Sequence, residues 1–215
     1  MAKELYLFTG LGADERIFHR LDLSGFSVTF IKWIIPFENE TIEDYVTRLL
    51  EQITTPKPIL VGLSFGGLIA IEVAKRIETE KVILIASVKT RREIPFYYRL
   101  AGKLRLHKIM AGKLLKRANF ITNWFFGIVS ESDKLLLKQI LSVTDPTFLR
   151  WAIDKVLRWD NKIPPHNVFH IHGTNDRILP VRFVKCHLPI KNVGHLMTLE
   201  IPDQLSKSIR ELLDQ

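Results

Sequence analysis

The chain has 215 residues, of which 47% are hydrophobic and 25% charged, with a formal net charge of +8. That length closes one core, and the composition excludes a disordered chain, a collagen-like repeat and a coiled coil. A single cysteine, Cys186, excludes an intrachain disulfide and a cysteine-rich zinc site, as suits a reducing compartment.

At the N-terminus Lys3 and Glu4 precede a short apolar run. The long apolar stretch and small-residue cleavage site of a signal peptide are missing, so Leu5 to Phe8 reads as a buried strand. Phe26 to Ile34 is rich in β-branched and aromatic residues and stops at Pro36, which predicts a second strand. Thr41 is placed to cap a helix, with Ile42, Tyr45, Val46, Leu49, Leu50 and Ile53 at helical spacing. Ile59 to Leu63 and Val82 to Ala86 read as continuous apolar strands, with a helix from Phe65 to Ile77 between them.

From residue 88 to about 160 no strand signal appears. Asp145-Pro146 opens a helix there, with Phe148, Leu149, Ala152, Ile153, Val156, Leu157 and Trp159 on its apolar side. Strands return at Val168 to Ile171 and, weakly, near Cys186 to Ile190, and a last helix starts at Pro202. No apolar run approaches the ~20 residues that span a bilayer. Apolar strands alternating with amphipathic helices predict a three-layer α/β/α fold with a mostly parallel six-stranded sheet. Residues 1–87 and 161–215 would form its core. Residues 88–160 would form a helical cap, inserted before the penultimate strand over the sheet edge where ligands bind.

The sharpest local signal is Gly62-Leu63-Ser64-Phe65-Gly66, directly after a strand and directly before a helix. A serine at such a turn stands out above the sheet edge, and small neighbours permit the strained backbone. The helix N-terminus beside it favours developing negative charge. The plain alternative is a serine that only caps the helix. A serine hydroxyl needs a base to take its proton. Among the seven histidines, His195 stands out because it follows Gly194 in a turn after the last strand. His170 and His172 share one strand face, and with no third ligand suitably spaced they do not read as a metal pair. The base needs an acid to fix its tautomer, and Asp176 lies in the loop after a strand, ahead of Asp14 and Asp133. An oxyanion needs two backbone donors: the amide of Phe65, and that of Leu11 in the turn Thr9-Gly10-Leu11-Gly12.

With these four pieces together, the chain resembles the α/β-hydrolase fold superfamily. The matching segments are Thr9-Gly10-Leu11-Gly12-Ala13-Asp14, Gly62-Leu63-Ser64-Phe65-Gly66, His172-Gly173-Thr174-Asn175-Asp176 and Val193-Gly194-His195. The resemblance implies Ser64 as nucleophile, His195 as general base and Asp176 as its partner, in the family's order. Two features depart from the family. Its two usual leading strands are missing, which implies a minimal sheet, and its frequent His-Gly before the oxyanion loop is Thr9-Gly10 here.

The charge is concentrated. Between Lys89 and Phe120 ten basic residues face one acid, Glu93, so the rest of the chain is close to neutral. Such a run reads as a solvated helix face, or as attraction to an anionic partner: an acyl carrier, coenzyme A or an anionic lipid. Nucleic acid is not expected, because no binding module accompanies the charge. Phe96, Tyr97, Trp124 and Phe125 are the candidate pocket residues. The reading is a serine hydrolase for a small-molecule acyl ester or thioester, with no metal or organic cofactor implied. The expected site is cytoplasmic, with a membrane surface as a peripheral option. Acyl transfer, another non-hydrolytic reaction, or a non-catalytic ligand-binding or membrane-surface role are the alternatives.

Overall fold

Side-chain alternation along buried strands decides the layers. In the computed structural model, which describes residues 3–105, 126–127 and 130–214, six strands form one sheet. They are β1 (Glu4–Phe8), β2 (Ser27–Phe30), β3 (Ile59–Leu63), β4 (Lys81–Ile85), β5 (Val168–Gly173) and β6 (Leu188–Ile190), in the order β2-β1-β3-β4-β5-β6. Every pairing is parallel. Tyr6, Phe8, Leu60, Val82 and Leu84 point to one face, where they join Tyr45 and Leu68. Leu5, Leu7, Ile59, Val61, Ile83 and Ile85 point to the other, where they meet Leu205, Ile209 and Leu213.

The helices are α1 (Ile42–Leu49), α2 (Phe65–Ala74), α3 (Phe96–Lys103), α4 (Glu131–Val143), α5 (Pro146–Arg158), α6 (Met197–Glu200) and α7 (Pro202–Leu213). Thr41 caps α1 by accepting from the Asp44 amide, and Asp145 caps α5 through the Thr147 and Phe148 amides. α2 is buried along its whole length except its last residue. Among the described residues no helix is long and apolar enough to cross a membrane.

The predicted strand from Phe26 to Ile34 is shorter in the fold. Its ladder stops after Phe30 because side chains capture the backbone beyond it. Gln52 exchanges two hydrogen bonds with Lys32, at 2.9 Å each. The Tyr45 hydroxyl bridges the amide and carbonyl of Ile34.

Between β4 and β5 the described chain is helical, and α5 shares the core of the sheet. Phe148, Trp151 and Ala152 are buried against Tyr45 and Phe65. Two indole N–H groups fix the same helix. Trp151 donates to the Glu40 carbonyl and Trp159 to the buried Glu72 carboxylate, both at 2.9 Å. Lys75 and Arg76 complete the Glu72 cluster, so that buried charge is paired.

Candidate active site

The register sets three loops at one edge of the sheet. Phe8 lies beside Gly62, and Leu63 beside Ile85, so the turns after β1, β3 and β4 end level. Ser64 occupies the turn after β3 with φ 53° and ψ −117°. That is a conformation other residues than glycine avoid, and it persists only when neighbours over-determine it. Here the Ser64 amide donates to the Ile85 carbonyl at 2.9 Å. The Ser64 carbonyl accepts from the Gly67 amide and from the Ser87 hydroxyl, at 2.9 and 2.7 Å. Gly62 and Gly66 are obligatory for closeness. A Cβ on the first would run into the Gly66–Gly67 backbone, and one on the second into the carbonyls of Phe8 and Thr9.

The structure brings Ser64, His195 and Asp176 into one chain of hydrogen bonds. The Ser64 hydroxyl donates to His195 Nε2 at 2.9 Å. His195 Nδ1–H donates to Asp176 Oδ2 at 2.7 Å. His195 and Asp176 are buried, whereas Ser64 keeps partial exposure. Asp176 Oδ1 accepts from the amides of Ile178 and Leu179 at 2.9 and 2.8 Å. Burial raises the Asp176 pKa, but His195 and the Leu179 amide outweigh it and hold the carboxyl below its usual range. The group therefore stays an acceptor, as the imidazole tautomer requires. Asp14 and Asp133 lie elsewhere, paired with Arg16 and Arg20.

A cavity of about 220 Å³ opens on Ser64 and His195. Its described walls are nearly all apolar, with Leu11, Tyr98, Phe126, Ile153 and Leu157 among them. Leu11 and Phe65 line it. Among the described residues neither amide donates a hydrogen bond within the protein. Two free N–H groups beside a serine suit a developing oxyanion. Among the described residues no group of three or more His, Cys, Asp or Glu side chains is placed to hold a metal ion.

The alpha/beta hydrolase family profile matches residues 3–207. The chain belongs to the alpha/beta hydrolase family. No curated protein sequence matches it. Among solved structures, this family member is similar to a thermophilic esterase from Thermogutta terrifontis, with a TM-score of 0.73 and 19% identity over 100% of this chain and 90% of that one. A bromoperoxidase from Bacillus anthracis gives 0.72 and 16%, over 100% and 93%. An enol-lactonase from Burkholderia xenovorans gives 0.64 and 19%, over 100% and 92%. At these identities the likeness establishes the fold.

The pocket residues expected from the sequence need correction. Phe96 and Tyr97 do not line the cavity of this hydrolase-family chain. Both are more than a third exposed and pack on Phe183 at the surface. Tyr98 is the one that turns inward, because Gly102 seats α3 against Leu157 and so sets the phase of the helix. Desolvation pushes the Tyr98 hydroxyl up to about 12. Trp124 and Phe125 lie outside the described residues, while the next aromatic, Phe126, sits edge-on to His195 with ring centroids 5.8 Å apart.

Sequence reasoning also passed over two supporting groups. Glu200 Oε2 accepts from the Gly194 amide at 2.8 Å and so holds the loop that carries His195. His172 Nε2–H donates to the Leu179 carbonyl at 2.8 Å, tying down the loop that carries Asp176. With Nε2 protonated, the Nδ1 atom of His172 lies 3.3 Å from His170 Nε2. The Ser87 amide donates to the same Nε2 at 3.4 Å. His170 Nδ1 is buried and has no hydrogen-bond partner among the described residues.

Both histidines are held below the ordinary histidine range, chiefly by desolvation. For His172, Asp176 and the Leu179 carbonyl oppose the shift. As pH falls, the unfolded chain takes up these protons before the folded one. The stabilisation is complete above about pH 6.5, the unfolded value, and is lost as pH drops toward the depressed folded values. The urea midpoint should therefore fall between about pH 7 and about pH 5. It should fall less in His170→Gln, and a midpoint flat over that interval in the wild type would contradict the account.

Proposed function

We propose that the chain is a serine hydrolase that cleaves a carboxylic ester or thioester with an apolar acyl part. The observation that carries the reading is the Ser64–His195–Asp176 chain, at 2.9 and 2.7 Å, opening on an apolar cavity. Esterase and enol-lactonase structures among its neighbours agree with it.

In this reading Ser64 Oγ attacks the carbonyl carbon while His195 Nε2 takes its proton. The carbonyl oxygen becomes an oxyanion, stabilised by the Leu11 and Phe65 amides. Asp176 stabilises the imidazolium without accepting its proton. Collapse of the tetrahedral intermediate breaks the bond to the alkoxide or thiolate, which leaves with the proton from His195. Water, deprotonated by His195, then attacks the acyl-serine and releases the carboxylic acid and free Ser64. The apolar wall favours the acyl chain and disfavours a charged one, because an unpaired charge there would lose its hydration.

A fluorophosphonate probe is the direct test. It is expected to label the wild type at Ser64 and to leave Ser64→Ala unlabelled. Equal labelling of the two proteins would remove the nucleophile. A series of p-nitrophenyl esters beside acyl-coenzyme A thioesters then separates ester from thioester. Product analysis with added alcohol separates hydrolysis from acyl transfer.

A further inference from the structure

Helix α3 has two different faces. Its inner face sends Tyr98 into the Ser64 cavity and presses Gly102 onto Leu157. Its outer face is apolar and open to solvent. Phe96, Leu100 and Leu104 are 61%, 53% and 58% exposed, and Tyr97 is 37% exposed. These positions follow one another at helical spacing, and Phe183 extends the patch. Scattered apolar side chains on a surface need no cause, but a contiguous patch beside a catalytic cavity does.

Cations border the patch. Arg99 and Lys103 follow the apolar positions along the same helix, and with Arg105 they line the groove at the α3–α5 contact together with Arg91, Arg158 and Asp160. Arg91 and Arg158 already pair with Asp160 and Asp154, at 3.6 and 3.5 Å. Among the described residues Arg99, Lys103 and Arg105 have no carboxylate within ion-pair distance, and Arg99 Nε is buried without a hydrogen-bond partner. Arg182 stands over the Phe183 ring, 5.0 Å from its centre. Apolar side chains flanked by long cations match the two layers of a bilayer surface. The aromatic and aliphatic groups suit the acyl boundary, and the cations suit the phosphates above it. A soluble anion such as coenzyme A, or an acidic protein, would satisfy the cations and leave the apolar stripe in water.

We infer that the outer face of α3 docks on an anionic lipid bilayer, with Phe96, Leu100 and Leu104 entering the headgroup boundary and Arg99, Lys103, Arg105 and Arg182 meeting the lipid phosphates. The inference stands on this surface and not on the hydrolase reading. If both hold, the bilayer lies one helix away from the cavity that would receive an acyl chain.

The test is co-sedimentation of the full chain with phosphatidylcholine vesicles, with and without phosphatidylglycerol. Binding is expected only with the anionic lipid, and it should be lost as salt rises to about 0.5 M, where charges are screened within a few ångströms. Leu100→Ser/Leu104→Ser and Lys103→Gln/Arg105→Gln should each weaken binding on the order of tenfold while melting like the wild type. Hydrogen exchange on the wild type needs no variant to fold, and vesicles should protect residues 96–104. Equal binding to neutral vesicles, or protection elsewhere and not in α3, would overturn the inference. So would variants that bind like the wild type. A loss confined to the charge variant, with competition by free coenzyme A, would point to a soluble anion and overturn it as well.

Discussion

Ser64→Ala, His195→Ala and the double replacement are expected to lose ester turnover by nearly the same factor, about a millionfold in kcat. The reason is the single proton path between them. The hydroxyl is a poor nucleophile without Nε2 at 2.9 Å, and the imidazole has nothing to deprotonate without the hydroxyl. Removing either removes both functions. Asp176→Asn should lose about 10⁴-fold, because an amide in place of the carboxylate favours the wrong imidazole tautomer. On the proposed mechanism each variant should retain the contribution of the Leu11 and Phe65 amides and of binding, roughly 10³-fold over the uncatalysed reaction. The measurement is kcat on a p-nitrophenyl ester for the wild type and the four variants, with circular dichroism to verify the fold. Losses that multiply in the double variant would mean that Ser64 and His195 act independently, and the acyl-enzyme mechanism would have to be abandoned.

Gly66→Ala should be the most damaging small change to folding. The new methyl would lie on the backbone carbonyls of Phe8 and Thr9. Those atoms belong to the end of a central strand and cannot swing aside as a side chain can. A cost above about 4 kcal/mol is expected, which for a domain of this size means little soluble protein. Gly25→Ala is the control. Gly25 has φ +87° but nothing within 4 Å of its added carbon, so only backbone strain applies, about 1 kcal/mol. Urea denaturation and soluble yield compare the two. Equal stability would show that α2 does not approach β1 this closely. The strained placement of Ser64 would then need another cause.

The strands were legible because each central one is a continuous apolar run, and parallel strands covered on both faces require that. The four motif loops were legible because each combines a strand end with a glycine or a chemically committed side chain. Ser64, Asp176 and His195 could therefore be named before any coordinate. Other features depend on contacts far apart in the chain. Nothing near Phe96 says which face of α3 turns inward; the close approach of Gly102 to Leu157 decides it. The early end of β2 depends on Gln52 and Tyr45. Glu200 escaped notice because α6 has four residues and carries no periodic signal. His172 looked like a polar residue at a strand end until the Leu179 carbonyl appeared opposite it.

The two indole tethers of α5 divide the rim of the cavity into unequal halves. One side is tied to the loop before α1 at Glu40 and to α2 at Glu72, and it shares the packing of the core, so it cannot widen without breaking into the domain interior. The α3 side has no such fastening: its described side chains make no hydrogen bond to the sheet or to α5. Among the described walls, widening should therefore cost the core less on the α3 side, and point changes there should admit bulkier guests with little loss of thermal robustness.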